Sequence, residues 1–76
     1  MNKDRRKELK KLSDELANLF DRVAELRDEE FAAHDNLPES LQYTDRAEKI
    51  EYAARRLDDA CDQFCTVFVA IVEAME

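Results

Sequence analysis

The side chains able to do chemistry in this chain are carboxylates, two cysteines and one histidine. Asp28, Glu29, Glu30 and Asp35 cluster together, and Glu48, Glu51, Asp58, Asp59 and Asp62 come later in the chain. If the two groups occupy antiparallel helices, Glu25, Asp28 or Glu29 comes opposite Glu48 or Glu51. Facing carboxylates of that kind are how helical bundles hold di-iron or magnesium. The di-iron pattern needs Glu-x-x-His, however, and Glu30 and His34 stand four apart. Several acids also have a basic residue within helical reach: Glu51 has Arg55, Arg55 has Asp58 and Asp59, Arg56 has Asp59, and Arg22 has Glu25. Intrahelical pairs of this sort describe a solvated face.

The all-α nucleotide pyrophosphatases place acidic pairs on adjacent helices, which keeps a metal-dependent nucleotide hydrolase as one alternative. A single hairpin has too few helices for such a site, so a dimer would have to complete it. Cys61 and Cys65, four apart on one helix, are badly placed for an internal disulfide. Two protomers could pool four thiolates around zinc, or join through an interchain disulfide. Their neighbours Phe64, Val67 and Phe68 favour plain core packing, the usual fate of a buried free cysteine. His34 has no serine or cysteine nucleophile near it and reads as an end-of-helix residue at the negative end of the dipole. Tyr43 and Tyr52 are too few for a base-stacking platform. With no glycine in the chain, glycine-rich phosphate loops and dinucleotide motifs are excluded. The expectation is therefore no enzyme, no cofactor and no metal.

The elements that position these groups are helices. From Ala47 to Met75 the apolar positions are Ala47, Ile50, Ala54, Leu57, Cys61, Phe64, Phe68, Ile71 and Met75, an unbroken three-four spacing. Leu9, Leu12, Leu16, Leu19, Val23 and Leu26 repeat it earlier. Ala17, Phe20, Ala24 and Phe31 widen that first stripe, Glu30 interrupts it and Ala33 resumes it. Between them Asn36 is a candidate cap with Glu39 three residues on, Pro38 suits a first turn, and residues 38–42 suit one short turn. Thr44 caps the second helix, with Asp45 and Glu48 at the positive end of the dipole. Leu37, Leu41 and Tyr43 are expected to plug the connector.

The spacing thus predicts one all-α domain over 1–76: a helix at about 3–34, a connector at 35–43 and a helix at about 44–75. So short a connection folds the two rods, each about 45 Å long, into an antiparallel hairpin. In the run 64–72 only Thr66 is polar, and a helix apolar on every side is buried on every side. Ala53, Ala60, Val67 and Ala74 recur every seven residues beside the seam. These features predict a coiled-coil homodimer forming a four-helix bundle, with Ala60, Phe64, Val67, Phe68, Ile71 and Met75 at its interface.

A chain of 76 residues is too small to bury a sizeable core alone, and its 41% charged residues suit long helices. The net charge of −7 is uneven: residues 1–11 hold six basic and two acidic side chains, +4, and the rest carries −11. Antiparallel pairing would set residues 3–12 beside residues 66–76, so that the basic start offsets Glu73 and Glu76. The acidic body disfavours nucleic acid except through residues 3–11, with Lys10 and Lys11 the candidate contacts. Asp58, Asp59 and Asp62 are candidates for a protein partner. The charged amino terminus lacks a signal-peptide core, and nine apolar-rich residues are under half a membrane span. No membrane and a reduced, cytoplasmic setting are expected.

The connector Asp35-Asn36-Leu37-Pro38-Glu39-Ser40-Leu41-Gln42, with Thr44-Asp45-Arg46 and an Ala/Glu/Ile helix after it, resembles small helical proteins of bacteria and their phages. Those carry an acidic first helix, an N-(I/L/M)-P-E-(N/S)-L-Q turn and a second helix rich in Leu, Ile and Ala. The match covers roughly residues 25–60. This chain departs from the pattern in its Cys- and Phe-rich end. The resemblance implies a hairpin fold and a phage or mobile-element origin, and supplies no catalytic residues. The sequence reading is a non-enzymatic, homodimeric interaction protein that offers an acidic face and the 35–43 connector to another macromolecule. The alternative is an acidic phage inhibitor that imitates nucleic acid or blocks a host defence or nucleic-acid-binding protein.

Overall fold

The computed structural model describes all 76 residues. Helix α1 spans Lys3–Asp35 and helix α2 spans Asp45–Met75, with one 3-10 turn, Glu39–Leu41, between them and no strand. The two helices pack side by side as an antiparallel hairpin, a rod of 59 × 15 × 13 Å.

Each helix end has an identifiable cause. Asn2 caps α1, its side-chain oxygen accepting from the Arg5 N–H at 2.8 Å. At the other end Asn36 is the C-cap, donating its N–H to the Ala32 carbonyl at 2.9 Å. This corrects the reading of Asn36 as an N-cap: asparagine suits both ends of a helix, and Pro38 decides between them. A proline disfavours helical backbone in the residue before it, so α1 must stop by then. Pro38 itself precedes the 3-10 turn without any side-chain cap bond. Thr44 is the N-cap of α2, its hydroxyl accepting from the Ala47 N–H at 3.3 Å and donating to the Leu41 carbonyl at 2.7 Å. No residue adopts a positive φ, so a chain without glycine turns round using proline and side-chain caps alone.

The expected plug is mostly absent. Leu37 is half-buried and receives the Gln42 side-chain amide on its carbonyl at 3.2 Å, whereas Tyr43 is 89% exposed and Leu41 46% exposed. A 3-10 turn of three residues has no inward side to offer three large side chains.

Along the seam, Phe20 meets Phe64 edge-on at 6.3 Å, Arg27 meets Asp58 at 3.1 Å and His34 meets Glu51 at 3.7 Å. The seam of α2 contains the expected residues except Phe68, which is 39% exposed on the groove side, and Ala47, Ala54 and Cys61 are covered. Small side chains one heptad apart let the α1 backbone come close. The seam of α1 differs from the expected one. Leu9, Leu16 and Val23 are half-buried, but Leu12, Leu19 and Leu26 are 46%, 48% and 54% exposed. Their place is taken by Ser13, Phe20, Arg27 and His34, the next row round the helix. Ser13 is buried, its hydroxyl donating to the Lys10 carbonyl at 2.8 Å. Turning this row inward gains the aromatic contact, the Arg27–Asp58 ion pair and the approach of His34 to Glu51, at the expense of three leucines.

The same register explains a second correction. Stepping from Arg27–Asp58 and Phe20–Phe64 toward the termini brings Met75 level with Lys10. Residues 3–8 therefore run on beyond α2. No ion pair joins the basic start to Glu73 or Glu76; the one pair in that region is Lys10–Asp14 within α1, at 3.0 Å.

Ala54→Leu should destabilise the hairpin by about 1–3 kcal/mol, since the added carbons have no space to occupy. Thr44→Ala should cost about 1 kcal/mol through the lost cap. Both are read from chemical denaturation monitored by circular dichroism. An Ala54→Leu protein as stable as the parent would mean that α2 presents another side to α1.

Candidate functional site

Three surfaces stand out on the rod. On one face, Leu16, Ala17 and Phe20 of α1 with Phe64, Cys65, Phe68 and Val69 of α2 line a wholly apolar groove of about 310 Å³. Ala17 and Val69 are its outer walls, so these shoulders of the two helices share a face. Positions about half a turn away share the reverse face. There lie Leu12, Leu19 and Leu26 of α1, and Ala53, Ala60, Val67 and Ala74 of α2. Every position in the stripe Ile50, Ala53, Leu57, Ala60, Phe64, Val67, Ile71, Ala74 is apolar, with none of the polar interruptions found on the groove side.

The expected interface residues divide between the two faces and the seam. Val67 is 48% exposed and Phe68 39%, while Ala60, Phe64, Ile71 and Met75 are half-buried. Sequence reasoning missed two contributors. It placed Leu12, Leu19 and Leu26 against α2, and it passed over Val69, which is 53% exposed. Leucines one heptad apart fit either of two adjacent helical rows, so spacing alone could not separate those rows.

The third surface is the acidic connector end. Residues 25–51 hold nine acidic and three basic side chains, a balance of −6. Among the candidate contacts, Asp58 is held by Arg27 and Asp59 by Arg56 at 3.2 Å, whereas Asp62 is exposed and forms no ion pair. Lys10 is paired with Asp14; Lys11 makes no ion pair and lines a shallow polar depression with Asp4, Lys7 and Glu8. The basic start is thus interleaved with acids. Of the expected intrahelical pairs, Glu51–Arg55 at 2.7 Å and Arg56–Asp59 form, while Arg22–Glu25 and Arg55 with Asp58 or Asp59 do not reach ion-pair distance.

Arg27 is the one strong cation turned inward. Its guanidinium is stabilised in the charged form chiefly by its hydrogen bond to Asp28, with burial opposing and Asp58 adding to the effect. The Glu51 carboxyl lies below its ordinary range, mainly through the hydrogen bond from Arg55 and the charge of that residue, with His34 adding a smaller pull against desolvation. No three His, Cys, Asp or Glu side chains converge at metal-binding spacing. Cys61 and Cys65 are free thiols, one buried and one on the groove wall. No helix is long and apolar enough to cross a membrane.

No family model matches the chain, and no curated protein or solved structure is significantly similar to it.

Because the Glu51 carboxyl is depressed in the folded state, its contribution is complete above the ordinary carboxylate range and is lost as pH falls through the folded value. Melting temperature should therefore drop between pH 7 and about pH 3, and drop less in Glu51→Gln. Equal drops in the two proteins would show that the pair with Arg55 does nothing for folding.

Proposed function

We propose that this protein is a non-enzymatic homodimer, a four-helix bundle made of two hairpins, which binds a macromolecular partner through its acidic connector end. One observation carries the dimer. The chain exposes 6091 Å², where a folded monomer of 8.9 kDa should expose about 4,800 Å². The surplus, about 1,300 Å² per chain, is what each partner of an obligate dimer covers. Only Ser13, Ala47, Ala54 and Cys61 are buried, and no large side chain is fully covered. Two helices alone are poorly stabilised; four share a core.

The partner-binding part of the reading rests on the connector end. Tyr43 stands almost entirely free in a connector region that also holds Asp35, Glu39 and Asp45, and an exposed aromatic in an acidic stretch suits a basic protein surface. The same −6 field favours a second reading, an inhibitor that occupies the nucleic-acid site of a basic host protein. The resemblance of the connector to phage and bacterial hairpin proteins supports a phage or mobile-element origin for either.

Sedimentation at micromolar concentration should return twice the chain mass, and Leu19→Glu should lower the dimer fraction together with helicity. A compact, fully helical monomer would sink the proposal. For the partner, a pull-down with a Glu39→Lys, Asp45→Lys, Asp62→Lys control is the test, since Asp58 is engaged by Arg27 and Asp59 by Arg56. An inhibitor should recover a nucleic-acid-binding protein and lose it on reversal.

A further inference from the structure

We infer that the second copy packs on the leucine face with its connector at the opposite end of the bundle. In that arrangement α1 runs antiparallel to the partner's α1 about a two-fold axis near Leu19. The inference rests on the dimer reading and adds the face, the direction and the register. The face is the one carrying Leu12, Leu19 and Leu26, because it is apolar from Ile50 to Ala74 on α2 and from Leu9 to Leu26 on α1, with Arg5 and Glu30 only at its ends. The groove on the other side passes into Asp58, Asp62 and Glu51 toward the connector. A face 59 Å long and 15 Å wide measures about 900 Å² in plan, against the roughly 800 Å² per partner of a standard interface.

Charge chooses the direction. The hairpin is polarised along its axis, with +4 on residues 1–11 at one end and −6 on residues 25–51 at the other. The basic start projects past α2, and none of its side chains is paired across the hairpin. With both connectors at one end, two fields of −6 would be stacked. That parallel arrangement would also set the three leucines level with the partner's Ala74, Val67 and Ala60, so apolar fit alone does not exclude it. With the connectors at opposite ends, each basic start lies along the acidic last turns of the partner's α1. An axis near Leu19 sets Leu12 level with Leu26 of the partner subunit, and brings Lys11, on the flank of that face, within a turn of Glu25 and Glu29 of the partner subunit. It also places Glu15 close to the partner's Arg22, twice over, and neither residue has an ion-pair partner in its own chain.

Zero-length carbodiimide cross-linking of the unmodified protein, read by mass spectrometry, tests this directly. Lys11 and Glu29 are about 27 Å apart along one straight helix, so any link between residues 3–11 and 28–35 must join two chains. Such links are expected in the dimer band and should fade as salt rises. Arg5→Glu, Lys11→Glu should weaken self-association about tenfold. Mixing it with Glu29→Lys, Glu30→Lys should restore a heterodimer, because both ends are then complementary. A dimer lacking these links, or a charge-reversed pair that fails to recover, overturns the arrangement while leaving the dimer standing. Absence of any dimer overturns both.

Discussion

Two cylinders in contact shield only one strip of each, and that geometric limit governs this molecule. A pair of helices of more than 30 residues has ample length for hydrogen bonding yet only one line of mutual coverage. Everything apolar outside that line stays in water unless something else covers it. The choice of strip is therefore the central energetic decision of the fold. On α2 the decision is easy, because Ala47, Ala54 and Cys61 are small enough to let the other backbone approach. On α1 two adjacent rows compete: one offers three leucines, the other Phe20, Arg27 and His34.

The second row wins within the chain because its members have specific counterparts on α2. Phe64 receives the Phe20 edge, Asp58 the Arg27 guanidinium and Glu51 the His34 ring. These contacts lie at the margin of the rod, where ion pairs keep much of their hydration and are individually weak. Their value is directional, since they pin the rotation of α1 and its register together. The leucines need no specific counterpart, because apolar contact is non-directional and another copy serves as well. Polar groups thus set the geometry of the hairpin, while the free leucines suit assembly.

Much of this was legible in the sequence, and the failures are informative. The three-four spacing identifies two helices and a hairpin, and Thr44 marks where the second one starts. The first half of the α2 seam reads correctly because the small residues Ala47, Ala54 and Cys61 repeat at one heptad between charged flanks. The α1 stripe is wide, spanning Leu12 on one edge and Ala17 on the other, so periodicity cannot say which edge turns inward. Asn36 misled because its side chain suits either helix end. The expected pairing of the basic start with Glu73 and Glu76 assumed helices flush at the termini. The actual register leaves residues 3–8 beyond α2, a displacement set by Pro38 and the length of the connector. Of the surfaces offered for function, the acidic end was visible as composition, but the split into two apolar faces required coordinates.

The turn without glycine has an evolutionary implication. Every backbone torsion here lies where any ordinary L-amino acid is comfortable, so no position is reserved for a residue of special flexibility. What the shape demands is a rhythm of greasy and wet letters, a proline at the bend and a capping oxygen at each start. A lineage built on such loose requirements can exchange nearly all of its letters and still fold the same way. Kinship among molecules of this design is better sought in the cadence of their sequences than in shared identities.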